Sequence, residues 1–159
     1  MRHANEPLSQ STILVVDDEL MMRELLTTRL GVAGFHPLQA RNGQEALVMI
    51  GQSRPAAMVL DINMPGLDGF GVLESMRRNG QIGHVKVMVL TARNQTADVR
   101  RAIALGARDF LTKPFSDNIF LARIERLLRS RPAPGGPAAS SPLAAAPPAA
   151  PEADASLLL

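Results

Sequence analysis

Four separate apolar runs of this sequence each end in a polar side chain suited to binding or transferring a charged group. The residues that follow these runs are the pair Asp17 and Asp18, then Asp61, Thr91 and Lys113. Carboxylates that pack together repel each other unless a cation lies among them. Mg²⁺ suits such a group best, because it takes oxygen ligands and is usually held by one or two carboxylates plus a phosphate. The residues therefore predict a Mg²⁺ site, provided that the fold brings them together.

A carboxylate beside such an ion can act as a nucleophile toward phosphorus and form an aspartyl phosphate. Lys113 would supply a positive charge and Thr91 a hydroxyl donor for the phosphoryl oxygens. Lys113 is one of only two lysines in the chain, the other being Lys86. Each residue alone has a structural explanation, since an Asp pair favours a helix N-terminus and a lone lysine is usually a solvated charge. The joint occurrence is what predicts the chemistry.

The elements that would position these side chains follow from the alternation of short apolar runs with longer amphipathic segments. This alternation is typical of β-α units around a parallel sheet, and five units are predicted. The predicted strands are residues 12–16, 35–40, 57–60, 85–90 and 108–112. Because the carboxyl ends of parallel strands share one edge of the sheet, the polar residues should converge there.

Helix signals agree with this reading of the strands. Ser116 is a predicted N-cap, and Gly34 is a predicted C-cap of the first helix. The last helix has apolar residues spaced i, i+4, i+7 and i+8 from Phe120. These are Phe120, Ile124, Leu127 and Leu128.

Composition bounds the organisation of the 159-residue chain. Residues 1–10 are predicted to be a short N-terminal extension, residues 11–131 one domain, and residues 132–159 a disordered Ala/Pro-rich tail. No apolar run approaches the roughly 18 residues of a membrane span. Residues 1–10 also contain no apolar stretch that could serve as a signal-peptide core, so a cytoplasmic protein is expected. The absence of cysteine fits a reducing compartment. A net charge of +2 is too small to predict a nucleic-acid footprint.

Four ordered segments resemble the response-regulator receiver family, typified by CheY. They read VVDDE at 15–19, LDINMPGLDG at 60–69, LTA at 90–92 and GARDFLTKPF at 106–115. The resemblance covers roughly residues 12–129 and implies the CheY-like flavodoxin fold. That α/β fold is a doubly wound, five-stranded parallel sheet with strand order 2-1-3-4-5.

The resemblance also implies a role for each residue of the site. Asp61 would accept the phosphoryl group of a phosphohistidine on a histidine kinase or a histidine phosphotransfer protein. Asp18 would bind Mg²⁺ directly and Asp17 mainly through water. The backbone carbonyl of Asn63 would be the remaining protein ligand.

Further residues near the site take roles from the same resemblance. Thr91 and Lys113 would bind the phosphoryl oxygens, with a cis bond between Lys113 and Pro114. Phe110 would turn inward as Thr91 moves, although an ordinary core position on the fifth strand explains it as well. Asn63, the small Ala92 and Arg93 are candidates for setting the lifetime of the phosphoryl group.

Output is expected to run through protein partners, because no second amphipathic pattern follows residue 129. The predicted docking surface is the face of helix four, strand five and helix five, on a monomer or on a phosphorylation-dependent homodimer. Direct DNA binding and membrane binding are not expected, and neither is ordinary enzyme turnover. Arg108 stands on that face where related proteins often carry an acid, and this makes their usual ion pairing uncertain here.

Three alternative functions stay open from the sequence. The chain could be a pseudo-receiver, a binding module independent of phosphate, although the complete set of site residues argues against it. It could be a metal-dependent phosphatase, but Asn63 stands where a second acid would be needed. It could also be an adaptor that binds partners through its Ala/Pro-rich tail.

Overall fold

The computed structural model describes residues 10–92 and 95–131 and arranges them as alternating strands and helices. Residues 1–9 of the predicted extension at 1–10, residues 93 and 94, and the predicted tail at 132–159 lie outside the described residues. The elements in chain order are β1 (Thr12–Val16), α1 (Leu20–Val32), β2 (His36–Ala40), α2 (Gly43–Ser53), β3 (Ala57–Asp61), α3 (Gly69–Arg78), β4 (Lys86–Thr91), α4 (Thr96–Ala104), β5 (Asp109–Thr112) and α5 (Asp117–Arg129).

The strands form one parallel sheet in the order β2-β1-β3-β4-β5. This order confirms the predicted doubly wound fold. The strand bounds differ from the prediction by one residue at most, and two of the differences matter for the site. β3 and β4 each extend one residue further, because Asp61 pairs with Leu90 and Thr91 pairs with Thr112. The sheet itself therefore holds the backbone of Asp61 and Thr91.

The core lies in two layers, one on each face of the sheet. Helices α1 and α5 cover one face, where Leu26 and Leu30 pack with Phe120 and Ile124. Helices α2, α3 and α4 cover the other face. Every residue of β3 is buried, which is expected for a central strand with helices on both sides.

One predicted helix end is confirmed, and the other lies one residue away, because the C-cap of α1 is Ala33 rather than the predicted Gly34. The side chain of Ser116 accepts a hydrogen bond from the Ile119 backbone N–H at 3.2 Å, as predicted for the N-cap of α5. Helix α1 ends with Ala33 as its C-cap, and Gly34 follows with a φ of 98°. A positive φ suits glycine because a Cβ would clash there. Within the described parts of the chain, no helix is long and apolar enough to cross a membrane.

Candidate functional site

The carboxyl edge of the sheet gathers the polar residues that end four of the strands. Asp17 follows β1 directly, Asp61 and Thr91 are the last residues of β3 and β4, and Lys113 follows β5. Strand order reverses beside β1, since β2 lies on one side of it and β3 on the other. In open α/β sheets ligands bind at this position. The predicted convergence is therefore found in the structure.

Three carboxylates lie close enough to share one cation. Asp17, Asp18 and Asp61 each place a carboxylate oxygen within 4.8 Å of the others. Asp17 is 1% exposed and Asp61 is 5% exposed, whereas Asp18 is open to solvent. The three carboxylates can supply several oxygen ligands to a hard cation, and the site is open to solvent at Asp18.

Backbone amides hold one oxygen of each buried carboxylate. Asp17 Oδ1 accepts a hydrogen bond from the Glu19 N–H at 2.9 Å, and Asp61 Oδ1 accepts one from the Asn63 N–H at 3.2 Å. Arg23 Nη1 donates to the Asp17 carbonyl at 2.9 Å and so ties α1 to the end of β1. The Oδ2 atoms of Asp17 and Asp61 face Lys113 instead.

Lys113 lies between the two buried carboxylates. Its Nζ is 3.5 Å from Asp17 Oδ2 and 3.6 Å from Asp61 Oδ2. The backbone N–H of Lys113 donates to the Thr91 carbonyl at 2.8 Å, which fixes the end of β5 against β4. The Lys113–Pro114 bond is cis, as predicted.

The electrostatics of this cluster centre on Asp61. Burial and, after it, the neighbouring Asp17 raise the pKa of Asp61 to about 6, although Lys113 and the Asn63 N–H act in the opposite direction. The single positive charge of Lys113 therefore does not balance the negative charges of the three carboxylates. A divalent cation would remove the remaining repulsion, so the donor set fits the oxygen-preferring Mg²⁺.

The predicted switch residues lie beside this cluster. Thr91 is 2% exposed, and its hydroxyl donates to the carbonyl of Ala92 at 2.8 Å. Ala92 is exposed, and Phe110 is half-buried against the core on the α2–α4 side. Asn63 is exposed. Thr91, Ala92 and Asn63 thus lie at the carboxyl edge of the sheet, whereas Phe110 lies within β5 opposite Val89. The roles of these residues stay predictions.

Sequence reasoning missed the contribution of Gly69 to the site. A Cβ at Gly69 would lie 2.7 Å from both the Asp61 carbonyl oxygen and Ile62 Cα. Helix α3 can therefore begin directly against the end of β3, and the loop before it is held over the carboxylates. The sequence offered only a weak signal, an Asp-Gly pair at residues 68–69.

Comparison with known proteins identifies the family. Residues 13–125 match the model of the response regulator receiver domain. "Probable transcriptional regulator ycf27" of Cyanophora paradoxa is 41% identical over 122 residues, which are 77% of this chain and 50% of that protein. "Response regulator MprA" of Mycobacterium avium is 43% identical over 117 residues, 74% of this chain and 50% of that protein. The chain thus spans about half the length of these curated relatives.

Solved structures agree with the sequence comparison. Chemotaxis protein CheY4 of Vibrio cholerae superimposes with a TM-score of 0.70 and 28% identity, covering 74% of this chain and 98% of that one. The Francisella response regulator 1452 receiver domain gives a TM-score of 0.69 and 29% identity, and the match covers 75% of this chain and 97% of that one. With the acidic cluster at the expected edge of the sheet, the chain belongs to the response regulator receiver domain family of two-component signalling.

Proposed function

We propose that the chain is a phosphoryl-accepting switch in which Asp61 takes a phosphoryl group from a phosphohistidine in a Mg²⁺-dependent reaction. The donor would be a histidine kinase or a histidine phosphotransfer protein. One observation carries the proposal: a buried carboxylate lies beside two others and a lysine at the carboxyl edge of the sheet.

The chemical step needs an ionised Asp61. Its Oδ2 attacks phosphorus, the new O–P bond forms, and the P–N bond to the donor imidazole breaks. With a pKa of about 6, Asp61 is mostly ionised at pH 7. Mg²⁺ held by Asp17, Asp18, Asp61 and the Asn63 carbonyl would supply the charge that neutralises the attacking and phosphoryl oxygens. Lys113 stands 3.6 Å from the attacking oxygen and can hold a phosphoryl oxygen.

The site supports a signalling module better than a turnover enzyme. A phosphatase with an aspartyl nucleophile needs a nearby acid to protonate its leaving group. The residue two positions after Asp61 is Asn63, whose amide cannot do this at neutral pH. The phosphoryl group would therefore stay on Asp61 as a signal, and Asn63, Ala92 and Arg93 are candidates for setting its lifetime.

Output would follow from a movement of Thr91. Its hydroxyl now donates to Ala92, and it would have to give up this bond to reach a phosphoryl oxygen. Phe110 could then turn into the space left behind and change the face of α4, β5 and α5. On that face Arg123 pairs with Asp109 at 2.7 Å. Partner proteins or a second copy of the chain would bind there.

We predict that Thr91→Val separates phosphorylation from output. The valine has a similar shape but no hydroxyl, so phosphoryl uptake should persist while the α4-β5-α5 face stays in its unphosphorylated form. Amide hydrogen exchange across α4 and β5, with and without a phosphodonor, measures this change; Thr91→Ser is the control. Equal phosphorylation-dependent changes in wild type and Thr91→Val would contradict the switch.

Protein rather than DNA remains the predicted partner of this domain. The matched segment makes up about half of the similar ycf27 and MprA proteins, and ycf27 is named a transcriptional regulator. The net charge of +2 is too small to support DNA binding by itself. Membrane binding is likewise not proposed.

The direct test of phosphoryl uptake is intact mass after incubation with a small acyl-phosphate donor. Wild type should gain one phosphoryl group with Mg²⁺ and none with a chelator, and Asp61→Ala should gain none. No gain in the wild type would instead favour the pseudo-receiver, a binding module independent of phosphate.

A further inference from the structure

The loop between β3 and α3, residues 62–68, is closed at its base. The backbone N–H of Gly69 donates to the Ile62 carbonyl at 3.0 Å. Met64 reaches into the core and is 6% exposed. Asn63 in contrast is exposed, and its N–H donates a hydrogen bond to Asp61 Oδ1. The rest of the loop must therefore hold the Asn63 backbone in place.

Leu67 fixes the other side of this loop between two helices. A Cβ at Gly43, the first residue of α2, would lie 2.6 Å from the Leu67 carbonyl oxygen and 2.8 Å from its Cγ. A Cβ at Gly71 in α3 would overlap Leu67 Cδ1. Both helices thus carry glycine where Leu67 contacts them, and the half-buried side chain fills the notch between them.

We propose that Leu67 is a positioning residue for the metal site. By packing between Gly43 and Gly71 it would hold the loop, and with it the Asn63 carbonyl, in one place before Mg²⁺ binds. The inference rests on the proposed function, in which that carbonyl is a Mg²⁺ ligand. Mg²⁺ requires near-ideal octahedral geometry, so a ligand on a loosened loop binds it less well.

Leu67 suits this role better than Met64 does. Met64 belongs to the buried core, and truncating it would disturb the whole face of the sheet. Leu67 lies at the rim and touches the core only from outside. A change there should loosen the loop and leave the rest of the domain packed.

The first test is Mg²⁺ binding to the full chain, measured by calorimetry. Leu67→Ala should weaken Mg²⁺ binding about tenfold, the low end of the range typical of residues that orient metal ligands. Leu67→Met should bind nearly as well as wild type. Leu105→Ala is the matched control, since Leu105 is also half-buried against this core but lies after α4, at the opposite edge of the sheet.

Hydrogen exchange without metal gives a second readout. Amides of residues 63–68 should exchange faster in Leu67→Ala and stay unchanged in Leu105→Ala. If Leu67→Ala does not fold, Leu67→Val is measured with the same expectations. A folded variant with wild-type Mg²⁺ affinity and wild-type exchange in the loop would overturn the proposal.

A double-mutant cycle tests the contact itself. Gly71→Ala should weaken Mg²⁺ binding in the wild-type background, because the new methyl group displaces Leu67. In the Leu67→Ala background the overlap is absent, so Gly71→Ala should have little further effect. Additive effects of the two substitutions would contradict the proposed contact.

Asp18→Asn separates this inference from the function on which it rests. Loss of Mg²⁺ binding in Asp18→Asn with unchanged binding in Leu67→Ala would overturn only the role of Leu67. A wild-type chain that binds no Mg²⁺, or an Asp18→Asn variant that binds as tightly as wild type, would overturn the proposed metal site as well.

Discussion

Asp61 is buried beside the carboxylate of Asp17, and both features make its ionised form unfavourable. Without metal, the ionised Asp61 therefore lowers the free energy of unfolding. Its pKa is about 6, against an ordinary value of 3.8, chiefly because the carboxyl is buried and Asp17 lies nearby. A raised pKa means that the folded chain binds the proton more tightly than the unfolded chain does. The contribution of this proton to the free energy of unfolding is fully present below pH 3.8 and is lost as the pH rises through 6.

Asp61→Asn should therefore stabilise the metal-free protein at neutral pH. We expect its advantage over wild type to be absent near pH 4, to grow up to about pH 6, and to level off at about 1–3 kcal/mol. Urea unfolding followed by circular dichroism measures it, because the chain has neither Trp nor Tyr for fluorescence.

Saturating Mg²⁺ should reduce this advantage, since the ion binds and stabilises the wild-type carboxylate. Glu24→Gln, which removes an exposed carboxylate, is the control. If the difference in free energy of unfolding between Asp61→Asn and wild type does not grow between pH 4 and pH 6, the ionised carboxylate of Asp61 does not destabilise the fold.

The residues that carry the chemistry were predictable because each stands directly after an apolar strand. Asp17, Asp61, Thr91 and Lys113 needed only the strand order to be brought together. The contacts of Leu67 and Gly69 were not predictable, because they depend on how closely the ends of α2 and α3 approach the loop. Such distances leave no periodic pattern in a sequence.

Helix α5 is held at both ends by side chains rather than by its own sequence alone. Ser116 caps its first turn, and at the far end Lys86 Nζ donates to the carbonyls of Leu128 and Ser130, each at 2.6 Å. A cation there also complements the negative end of the helix dipole. The sequence marked Lys86 only as the second lysine, because its partners lie more than forty residues away.

Lys86→Met should loosen the end of α5 and leave the acidic site intact. Two carbonyls lose a charged donor, so we expect a loss of about 1–3 kcal/mol in the free energy of unfolding. Amide exchange near residue 130 should quicken, whereas Mg²⁺ affinity should stay unchanged, since Lys86 begins β4 at the opposite edge of the sheet. Lys86→Arg, which keeps the charge, is the comparison. Unchanged stability in Lys86→Met would show that these bonds contribute little.

The whole molecule presents an apolar patch next to its acidic edge. Helix α1 starts two residues after Asp18 and exposes Leu20, Met21 and Leu25 by 54%, 72% and 43%. Exposed apolar side chains grouped in this way are typical of protein-binding surfaces. We infer that the phosphohistidine-bearing protein docks on this part of α1, because the helix begins two residues after Asp18 of the acidic site.

Met21→Glu should then slow phosphoryl transfer from a phosphorylated histidine kinase by at least about tenfold, the effect of losing a well-buried apolar contact. Uptake from a small acyl-phosphate donor should be unchanged, because that reaction needs no docking. Val48→Glu is the matched control, since Val48 is 56% exposed on α2, which covers the other face of the sheet. Equal slowing by both substitutions would contradict docking on α1.

The most direct measurement is the position of the phosphoryl group after reaction with a small acyl-phosphate donor. The acyl phosphate would be trapped by reduction and located by peptide mass, in wild type and in Asp61→Asn, with and without Mg²⁺. We predict a single modified residue, Asp61, whose modification requires Mg²⁺ and is absent from Asp61→Asn. Modification at another residue, or at Asp61 regardless of Mg²⁺, would contradict the proposed switch.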